Sequence, residues 1–258
     1  MQAIVTAGGI PEPEEPLYEF SQGASKALIE IAGKTMIQWV LDALSGSKHI
    51  ENVVIVGLDE SSGVTCEKPL AFTPNHGGML DNIQAGTRKA LEVQPDAKYV
   101  LMVSSDIPSI TPEIVDWTIE RALETEEDIY YNVVTRDVME ARFPGSNRTY
   151  LRLRESEVCG GDMNVVATDT VTSNDEFWTK MMYARKSIIR QAALIGFDTL
   201  FLMLIRRLTL PDAVKRVSKK IGLKARAVES PYAEIAMDVD KTYQLEMLAK
   251  DLEQRAAV

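Results

Sequence analysis

A candidate phosphate-binding turn lies at the start of the chain. The apolar run of residues 2–5 ends at Thr6-Ala7-Gly8-Gly9, which predicts a buried strand followed by a tight backbone turn. Gly8 and Gly9 allow a ligand to come close to the backbone, and the ammonium group of Lys26 returns after an irregular loop. Backbone N–H groups and one cation suit a polyanion. An ordinary strand–loop–helix unit explains the same pattern, with the glycines serving only the turn.

Asp106 is a candidate metal ligand. The apolar run of residues 98–103 is followed by Ser104-Ser105-Asp106-Ile107-Pro108, so the carboxylate stands just beyond a predicted buried strand. Ligands of open α/β sheets bind at the carboxyl ends of the strands. Mg²⁺ usually takes one or two carboxylates together with phosphate oxygens and water. Asp106 therefore suits a magnesium–nucleotide site, although an Asp in a turn before a helix also has a common structural role.

The elements around these residues alternate between strands and helices. Strand-like runs at 52–58 and 70–73 are interspersed with helical patterns at 36–44 and 79–93, and Thr111-Pro112 opens a further helix. Such alternation predicts parallel βαβ units in a sheet that is covered on both faces. The loop of residues 10–25 is rich in Pro, Glu and Gly, which argues against a helix or a central strand there.

The pattern changes after residue 128, but no linker or internal repeat divides the chain. Further strands are predicted at 129–134, 163–167, 224–228 and 233–237, and helices are predicted within 177–208, 211–220 and 241–257. We therefore expect a single domain over residues 1–258, with the part from residue 129 onward forming an elaborated second half.

Composition narrows the class of protein. The chain has 258 residues and a net charge of −10, which argues against a general nucleic-acid partner, because such partners select basic surfaces. The two cysteines, Cys66 and Cys159, form neither a disulfide framework nor a zinc motif, so a reducing cytoplasm is the expected location. No leader peptide or membrane-spanning stretch is predicted. The sequence is compatible with a monomer or a homodimer.

The opening of the chain resembles that of the MobA-like nucleotidyltransferases, which belong to the wider group of sugar-1-phosphate nucleotidyltransferases. The resemblance is carried by Thr6-Ala7-Gly8-Gly9, by Lys26, and by Ile31-Ala32-Gly33-Lys34-Thr35-Met36-Ile37 with the apolar helix that follows. Two features depart from the family pattern. The segment Ile10–Pro16 replaces the usual short Gly-x-Arg element, and Ala27 replaces the usual Pro after the lysine.

This resemblance implies a fold and an activity. The fold would be a three-layer α/β/α sandwich with a Rossmann-like, mostly parallel mixed sheet of the nucleotidyltransferase (GT-A-like) type. Residues 1–128 would bind the nucleotide, and residues 129–258 would bind the acceptor and supply the closing helix. The activity would be transfer of a nucleoside monophosphate from an NTP to a phosphorylated small-molecule acceptor, with release of pyrophosphate.

The resemblance also implies roles for individual acids and for Lys26. Asp106 and Asp238 would hold Mg²⁺ (or Mn²⁺), because Asp238-Val239-Asp240 matches a late Asp-x-Asp segment of the family. Lys26 would stabilise negative charge during transfer, together with the amides of Gly8 and Gly9. Capping of the last helix is the favoured role for Asp240.

Two further groups of candidate residues follow from the same resemblance. The nucleoside would be held by Ala7, Gly77, Gly78, Asp81 and Asn82, and the acceptor by Gly161, Asp162, Asn164 and Lys186. The alternating basic residues Arg148, Arg152 and Arg154 could bind an anionic acceptor. They could equally serve to protect the edge of a sheet from pairing.

Two other functions remain open at this level. A GT-A glycosyltransferase would use the same sheet edge, but it usually carries Asp-x-Asp directly after the mid-sheet strand, where this chain has Ser104-Ser105-Asp106. A non-catalytic nucleotide-binding or sensor protein on the same fold is the second alternative, because the Gly-x-Arg element is replaced by Pro- and Glu-rich sequence.

Overall fold

The computed structural model describes residues 1–173 and 196–256. Within these ranges nine strands form one mixed sheet, and two short strands form a separate hairpin. The strands are β1 Gln2–Thr6, β2 Glu30–Ile31, β3 Lys34–Thr35, β4 Asn52–Val56, β5 Leu70–Thr73, β6 Tyr99–Ser104, β7 Ile129–Thr135, β8 Leu151–Arg152, β9 Glu157–Gly160, β10 Met163–Ala167 and β11 Ala225–Glu229.

The helices are α1 Tyr18–Ser21, α2 Met36–Gly46, α3 Met79–Val93, α4 Pro112–Ala122, α5 Arg136–Arg142, α6 Thr168–Ser173, α7 Phe197–Leu204, α8 Leu210–Ile221 and α9 Thr242–Ala256. In the part of the chain that the structure describes, none of these helices combines the length and the apolar character needed to cross a membrane.

The sheet brings the predicted site residues to one edge. Its strand order is β5-β4-β1-β6-β10-β7-β9-β8, and β11 pairs with β7. Strands β5, β4, β1 and β6 are parallel, whereas β10 runs antiparallel between β6 and β7. Thr6 at the end of β1 lies in register with Ser104 at the end of β6. The glycine turn and Asp106 therefore leave the sheet side by side.

Strand β1 is buried on both faces, which accounts for its unbroken apolar sequence. Ala3 and Val5 face the larger of two hydrophobic cores, and Ile4 between them faces the other. Helices α2 and α4 contribute to the first core, and α3 packs over the second. The prediction of a three-layer α/β/α sandwich with a mostly parallel sheet is confirmed.

Two predictions about local structure were wrong. Residues 18–21 form one helical turn inside the loop that was expected to lack helix, and this turn buries Leu17 and Ser21 beside the core. Residues 233–236, expected to be a strand, form a 3₁₀ turn instead. All four residues of that turn are buried, so the segment lacks the alternation of a half-exposed strand, and its backbone wraps around the end of the sheet.

Close packing of α3 on the sheet depends on Gly86. A β-carbon at this position would lie 2.5 Å from Ile4 Cγ2 and 2.9 Å from Val56 Cγ2, and both methyl groups belong to rigid β-branched side chains in buried strands. The absence of a side chain at residue 86 therefore sets how closely the helix approaches β1 and β4.

We expect Gly86→Ala to lower the free energy of unfolding by about 2 kcal/mol, because overpacking outweighs the gain in helix propensity of about 1 kcal/mol. Urea denaturation measures the change. Arg88→Ala, on the exposed side of the same helix, should alter stability by less than about 0.5 kcal/mol. A stabilised Gly86→Ala variant would show that α3 packs less closely than described.

Candidate active site

Four aspartates and two basic residues meet at the carboxyl edge of β1 and β6. Asp106, Asp238 and Asp240 form what we call the acid cluster, in which one carboxylate oxygen of each residue lies within 4.8 Å of the others. Asp162 lies near enough to act on the charges of this cluster. Lys26 and Arg148 provide the opposing positive charge.

Asp106 is fixed at the end of β6 by contacts on both sides. The Ser104 hydroxyl donates a hydrogen bond to the Asp106 carboxylate, and Val239 N donates to the Asp106 carbonyl at 2.9 Å. The second bond fastens the segment between Asp238 and Asp240 to the end of a central strand. Two acids more than 130 positions apart in the chain therefore become neighbours.

Lys26 links the glycine turn to the acid cluster. It begins a 3₁₀ turn whose N-cap is Ser25, and the Ser25 hydroxyl also donates to the Ala7 carbonyl at 2.5 Å. Lys26 N donates to the Gly9 carbonyl at 2.9 Å, and Lys26 Nζ lies 2.5 Å from Asp106 and 2.9 Å from Asp240. Burial alone would lower the pKa of Lys26, but the two carboxylates outweigh it and raise that pKa above its ordinary value. The ammonium group stays charged.

Asp238 is buried against Arg148. The Arg148 guanidinium contacts Asp238 Oδ1, and both side chains are largely removed from solvent. Burial raises the pKa of Asp238 to about 8, with a further contribution from the charge of Asp162 and an opposing one from Arg148. Without the guanidinium this carboxylate would be an uncompensated buried charge.

Asp162 adds a fourth carboxylate at the turn between β9 and β10. Its backbone N–H donates to the Ile235 carbonyl at 2.7 Å, and its carbonyl accepts from Ser104 N at 2.9 Å. Burial, and after it the charge of Asp106, raises the pKa of Asp162 to about 7 against the opposing effect of Arg148. Four carboxylates thus face two cations in one place.

Asp240 is not the helix cap that the local sequence predicts. Its carboxylate points into the acid cluster and contacts Lys26. Burial would raise the pKa of Asp240, but the charge and hydrogen bond of Lys26 outweigh burial and lower that pKa. The Gln244 side chain takes the capping role, because its Oε1 accepts from the backbone N–H groups of Asp240 and Lys241, both at 2.9 Å. A long-range ion pair has replaced the short-range hydrogen bond.

The glycine turn is supported from below by Gly57, which the sequence reasoning did not single out. Gly57 has φ +101°, and a β-carbon there would lie 2.4 Å from the Gly8 Cα atom. Only glycine fits such a position. Within residues 1–173 and 196–256, the N–H groups of Gly8 and Gly9 donate to no protein acceptor, so both remain available to a ligand.

The predicted nucleoside loop lies against this turn. Asn75 Nδ2 donates to the Gly8 carbonyl at 2.8 Å, and the Asn82 side chain bonds both Asn75 Oδ1 and His76 N. Asn82 is buried and thus shapes the loop, whereas Gly77 and Asp81 are exposed at its surface and Gly78 precedes α3. The structure therefore brings the loop to the glycine turn through Asn75, whose Oδ1 also accepts from Gly77 N at 2.9 Å.

The predicted acceptor residues are only partly brought together. Asp162 lies beside the acid cluster, but Asn164 bonds Asn132 N and the Gly161 carbonyl, and so holds the sheet backbone rather than an open site. Gly161 is buried, with its own N–H donating to the Asn132 carbonyl. Lys186 lies outside the described residues. Arg148, which was predicted only as part of a basic run, is instead the direct partner of Asp238.

An open cleft of about 450 Å³ adjoins the acid cluster. The segment Ile10–Pro16, which replaces the Gly-x-Arg element of the family, lines this cleft through Ile10, Pro11 and Glu15. Gly9, Lys26 and Asp240 also line it. The Glu15 carboxylate accepts a hydrogen bond from Glu12 N at 2.9 Å. The acidic loop therefore directs this carboxylate toward its own backbone.

The acid cluster offers the donor atoms that a divalent cation of the magnesium type prefers. Carboxylate oxygens are hard ligands, and three of them converge here. Asp238 Oδ1 is buried and accepts no well-aligned hydrogen bond from the described residues, although the Arg148 charge offsets its own. The residues present fit such an ion.

Comparison with known proteins shows which proteins this chain resembles. Residues 20–141 match the MobA-like NTP transferase domain. The structure of a hypothetical transferase from Thermus thermophilus superposes with a TM-score of 0.82 and 33% identity, over 95% of this chain and 98% of that one. The resemblance to the MobA-like nucleotidyltransferases is confirmed by this match over residues 20–141. The predicted enzyme class, a nucleotidyltransferase, is thereby confirmed.

More distant relatives carry more specific names. A probable molybdenum cofactor guanylyltransferase from Thermococcus kodakarensis is 24% identical over 153 residues, which span 53% of this chain and 73% of that protein. The molybdopterin-guanine dinucleotide biosynthesis protein A of Archaeoglobus fulgidus has a TM-score of 0.52 and 13% identity, over 99% of this chain and all of that one. At that identity, the likeness supports the fold alone.

Relief of repulsion at Asp162 should be measurable in the ligand-free protein. We expect Asp162→Asn to raise the free energy of unfolding by about 1–3 kcal/mol at pH 8, because the native pKa of about 7 lies above the ordinary 3.8. A raised pKa means that the wild type loses stability as pH rises from about 4 to 7. The gain in the variant should therefore be smaller at pH 5 than at pH 8.

Urea denaturation at the two pH values tests this expectation. Asp96→Asn, at an exposed loop position, is the matched control and should leave stability almost unchanged. Equal effects of Asp162→Asn at both pH values would contradict the raised pKa.

Proposed function

We propose that this protein transfers a nucleoside monophosphate from an NTP to a phosphorylated small-molecule acceptor and releases pyrophosphate. The observation that carries the proposal is the convergence of Lys26, the open glycine turn and the acid cluster at one sheet edge. The resemblance to the MobA-like NTP transferases supports the NTP as donor. The phosphorylated acceptor is our inference, because an anionic phosphate can attack without a covalent enzyme intermediate.

Asp106 and Asp238 would hold the divalent cation, Mg²⁺ or Mn²⁺. When bound, that ion would neutralise phosphate charge and help to orient the reacting groups. Asp240, which the sequence assigned to capping, joins them as a third possible ligand because its carboxylate lies in the same cluster.

Lys26 and the glycine turn would bind the triphosphate. The N–H groups of Gly8 and Gly9 donate to no acceptor among the described residues, and Lys26 remains charged beside them. An oxygen of the acceptor phosphate would attack the α-phosphorus, forming one P–O bond. The bond from that phosphorus to the α–β bridging oxygen would break, and pyrophosphate would leave with the electron pair. Lys26 would stabilise the charge that develops on the phosphoryl oxygens.

The nucleoside would lie over the loop of residues 75–82. Ala7, Gly77 and Gly78 would offer backbone groups to the base, and Asp81 would be available to the sugar or base. Asn82 would act indirectly, since its side chain holds the loop in shape.

We also propose that the chain works as one domain. Residues 1–128 would bind the nucleotide and residues 129–258 the acceptor, as a monomer or homodimer in the cytoplasm and without a nucleic-acid or membrane partner. The bonds from Val239 to Asp106 and from Lys26 to Asp240 join the two parts directly at the site.

Removal of one ligand carboxylate tests the nucleotide site. In a thermal-shift panel of the four NTPs with and without Mg²⁺, we expect one NTP to stabilise the wild type, by about 2.7 kcal/mol at 100 times its Kd. The shift should require Mg²⁺ and should be lost in Asp106→Asn, because the metal loses a carboxylate ligand.

Asp96→Asn serves again as the control, since its exposed carboxylate is remote from the acid cluster and should leave the shift intact. Absence of any NTP-dependent shift in the wild type would overturn the proposed function. A shift without pyrophosphate release for any phosphorylated acceptor would favour the nucleotide-sensor alternative.

Lys26→Met tests charge stabilisation separately from nucleotide affinity. The methionine side chain has a similar length but no charge, so we expect kcat for pyrophosphate release to fall about 10²–10³-fold. Steady-state kinetics measures this loss. Lys34→Met, which removes an exposed lysine paired with Asp42, should retain full activity. A fall in NTP affinity with kcat unchanged would contradict the assigned role.

A further inference from the structure

A second cleft opens on the far side of Arg148. It has a volume of about 280 Å³ and is lined mainly by polar atoms, which come from Arg136, Glu140, Asn147, Arg148, Tyr150, Arg152 and Glu157. We call it the arginine cleft. It belongs to the second half of the chain, whereas the glycine turn and Lys26 belong to the first.

Arg148 connects the arginine cleft to the acid cluster. One terminal nitrogen of its guanidinium contacts Asp238, and the same side chain lines the cleft. Its Nε is buried and has no hydrogen-bond partner among the described residues. A guanidinium carries five N–H donors, so the contact with Asp238 leaves donors for a second anion.

The loop before Arg148 is shaped to hold this side chain in place. Gly145 and Asn147 both have positive φ, at +77° and +53°, so the chain bends twice within three residues. Tyr243 Oη donates to the Ser146 carbonyl at 3.0 Å, and Phe143 is buried just ahead of the bend. The helix α9 therefore helps to position Arg148.

The outer wall of the cleft is also ordered, because ion pairs hold its arginine side chains in place. The Glu157 carboxylate forms ion pairs with Arg136 Nη1 at 2.7 Å and with Arg152 Nε at 3.0 Å. The Arg136 guanidinium lies 5.3 Å from the centre of the Tyr150 ring. Two guanidinium groups share this one carboxylate. Glu140 adds a second carboxylate, which accepts from Gly145 N and Tyr150 Oη, so the wall offers guanidinium donors to a hydroxylated ligand without a net charge of its own. Arg148 is then the group that would meet an anion.

From this geometry we propose that the arginine cleft is the acceptor subsite and that it takes a small hydroxylated phosphate ester, such as a polyol or sugar phosphate. The proposal rests on the proposed function. Arg148 would bind the acceptor phosphate beside the acid cluster, while Arg152 and its neighbours would bind the hydroxylated body. A wall made mostly of charged and amide groups suits hydroxyl groups better than a flat apolar ring system.

Arg152 and Arg154 offer a matched pair for testing this subsite. Both lie on or just after β8, and both are similarly exposed. Arg152 lines the cleft, whereas Arg154 pairs with Glu155 and does not line it. Their Gln variants remove the same charge and differ in the proposed contact.

The experiment is isothermal titration calorimetry of the wild type, Arg152→Gln and Arg154→Gln. Each protein is titrated with glycerol 3-phosphate, a set of sugar 1-phosphates, and inorganic phosphate. It is carried out with and without Mg²⁺ and the α,β-methylene analogue of the NTP that gives the thermal shift. We expect at least one ester to bind the loaded wild type more tightly than inorganic phosphate. Arg152→Gln should raise its Kd about tenfold, and Arg154→Gln should leave it within twofold.

The affinity for the NTP analogue separates failure of this inference from failure of the proposed function. If the analogue binds but no ester does, or if Arg152→Gln and Arg154→Gln behave alike, the acceptor subsite is overturned and the nucleotide site stands. If inorganic phosphate binds as tightly as every ester, the hydroxylated class is overturned. If the analogue itself does not bind, the proposed function fails first.

Arg148→Lys provides a second variant that retains the buried positive charge beside Asp238. It should raise the Kd of the same ester more than Arg152→Gln does, while the Kd of the NTP analogue stays within twofold. A variant that weakens analogue and ester equally would place Arg148 in the nucleotide site and contradict the proposal.

Discussion

The concentration of negative charge at one sheet edge is the constraint on which this structure depends. Four aspartates meet there, and burial makes their mutual repulsion costly. In the ligand-free protein, two basic residues from distant segments offset the charge: Lys26 beside Asp106 and Arg148 beside Asp238. The same contacts join the first strand, the middle loop and the last helix. Electrostatic balance and chain topology are therefore coupled at this point.

The two basic residues do not balance all the negative charge of the aspartates, and this imbalance bears on function. Four carboxylates against two cations leave an excess of negative charge when all are ionised. Burial is the main cause of the raised pKa values of Asp162 and Asp238, and this excess adds to it. A divalent cation carries the two positive charges that would balance this excess. Binding sites often retain such repulsion at the expense of stability, because the ligand removes it. Under the proposed function, the destabilisation expected from Asp162 would be relieved when the charged ligand binds.

Much of the fold followed from local patterns, because buried parallel strands and amphipathic helices leave clear periodicity in the sequence. The edge that carries Asp106 also followed, since strand ends of one direction share an edge. Asp240 was misassigned, because a capping position is local information, whereas its partner Lys26 lies 214 residues away. The sequence indicated only the positive charge of Arg148. Its direction depends on the backbone bends at Gly145 and Asn147, which the sequence pattern did not predict. Residues 233–236 were misread because complete burial removes the alternation that distinguishes a strand.

The altered signature loop gains a physical interpretation from these contacts. Replacement of the family's Gly-x-Arg element removes a cation next to the triphosphate, yet Lys26 remains charged beside Gly9 and the Glu15 carboxylate is bonded to its own loop. The other strong cation of the site, Arg148, comes from the opposite side and serves Asp238. Under the proposed function, positive charge is therefore divided between a nucleotide side and an acceptor side. On this view, the loop change alters how the triphosphate is held, whereas the choice of acceptor depends on a separate set of residues in the second half of the chain.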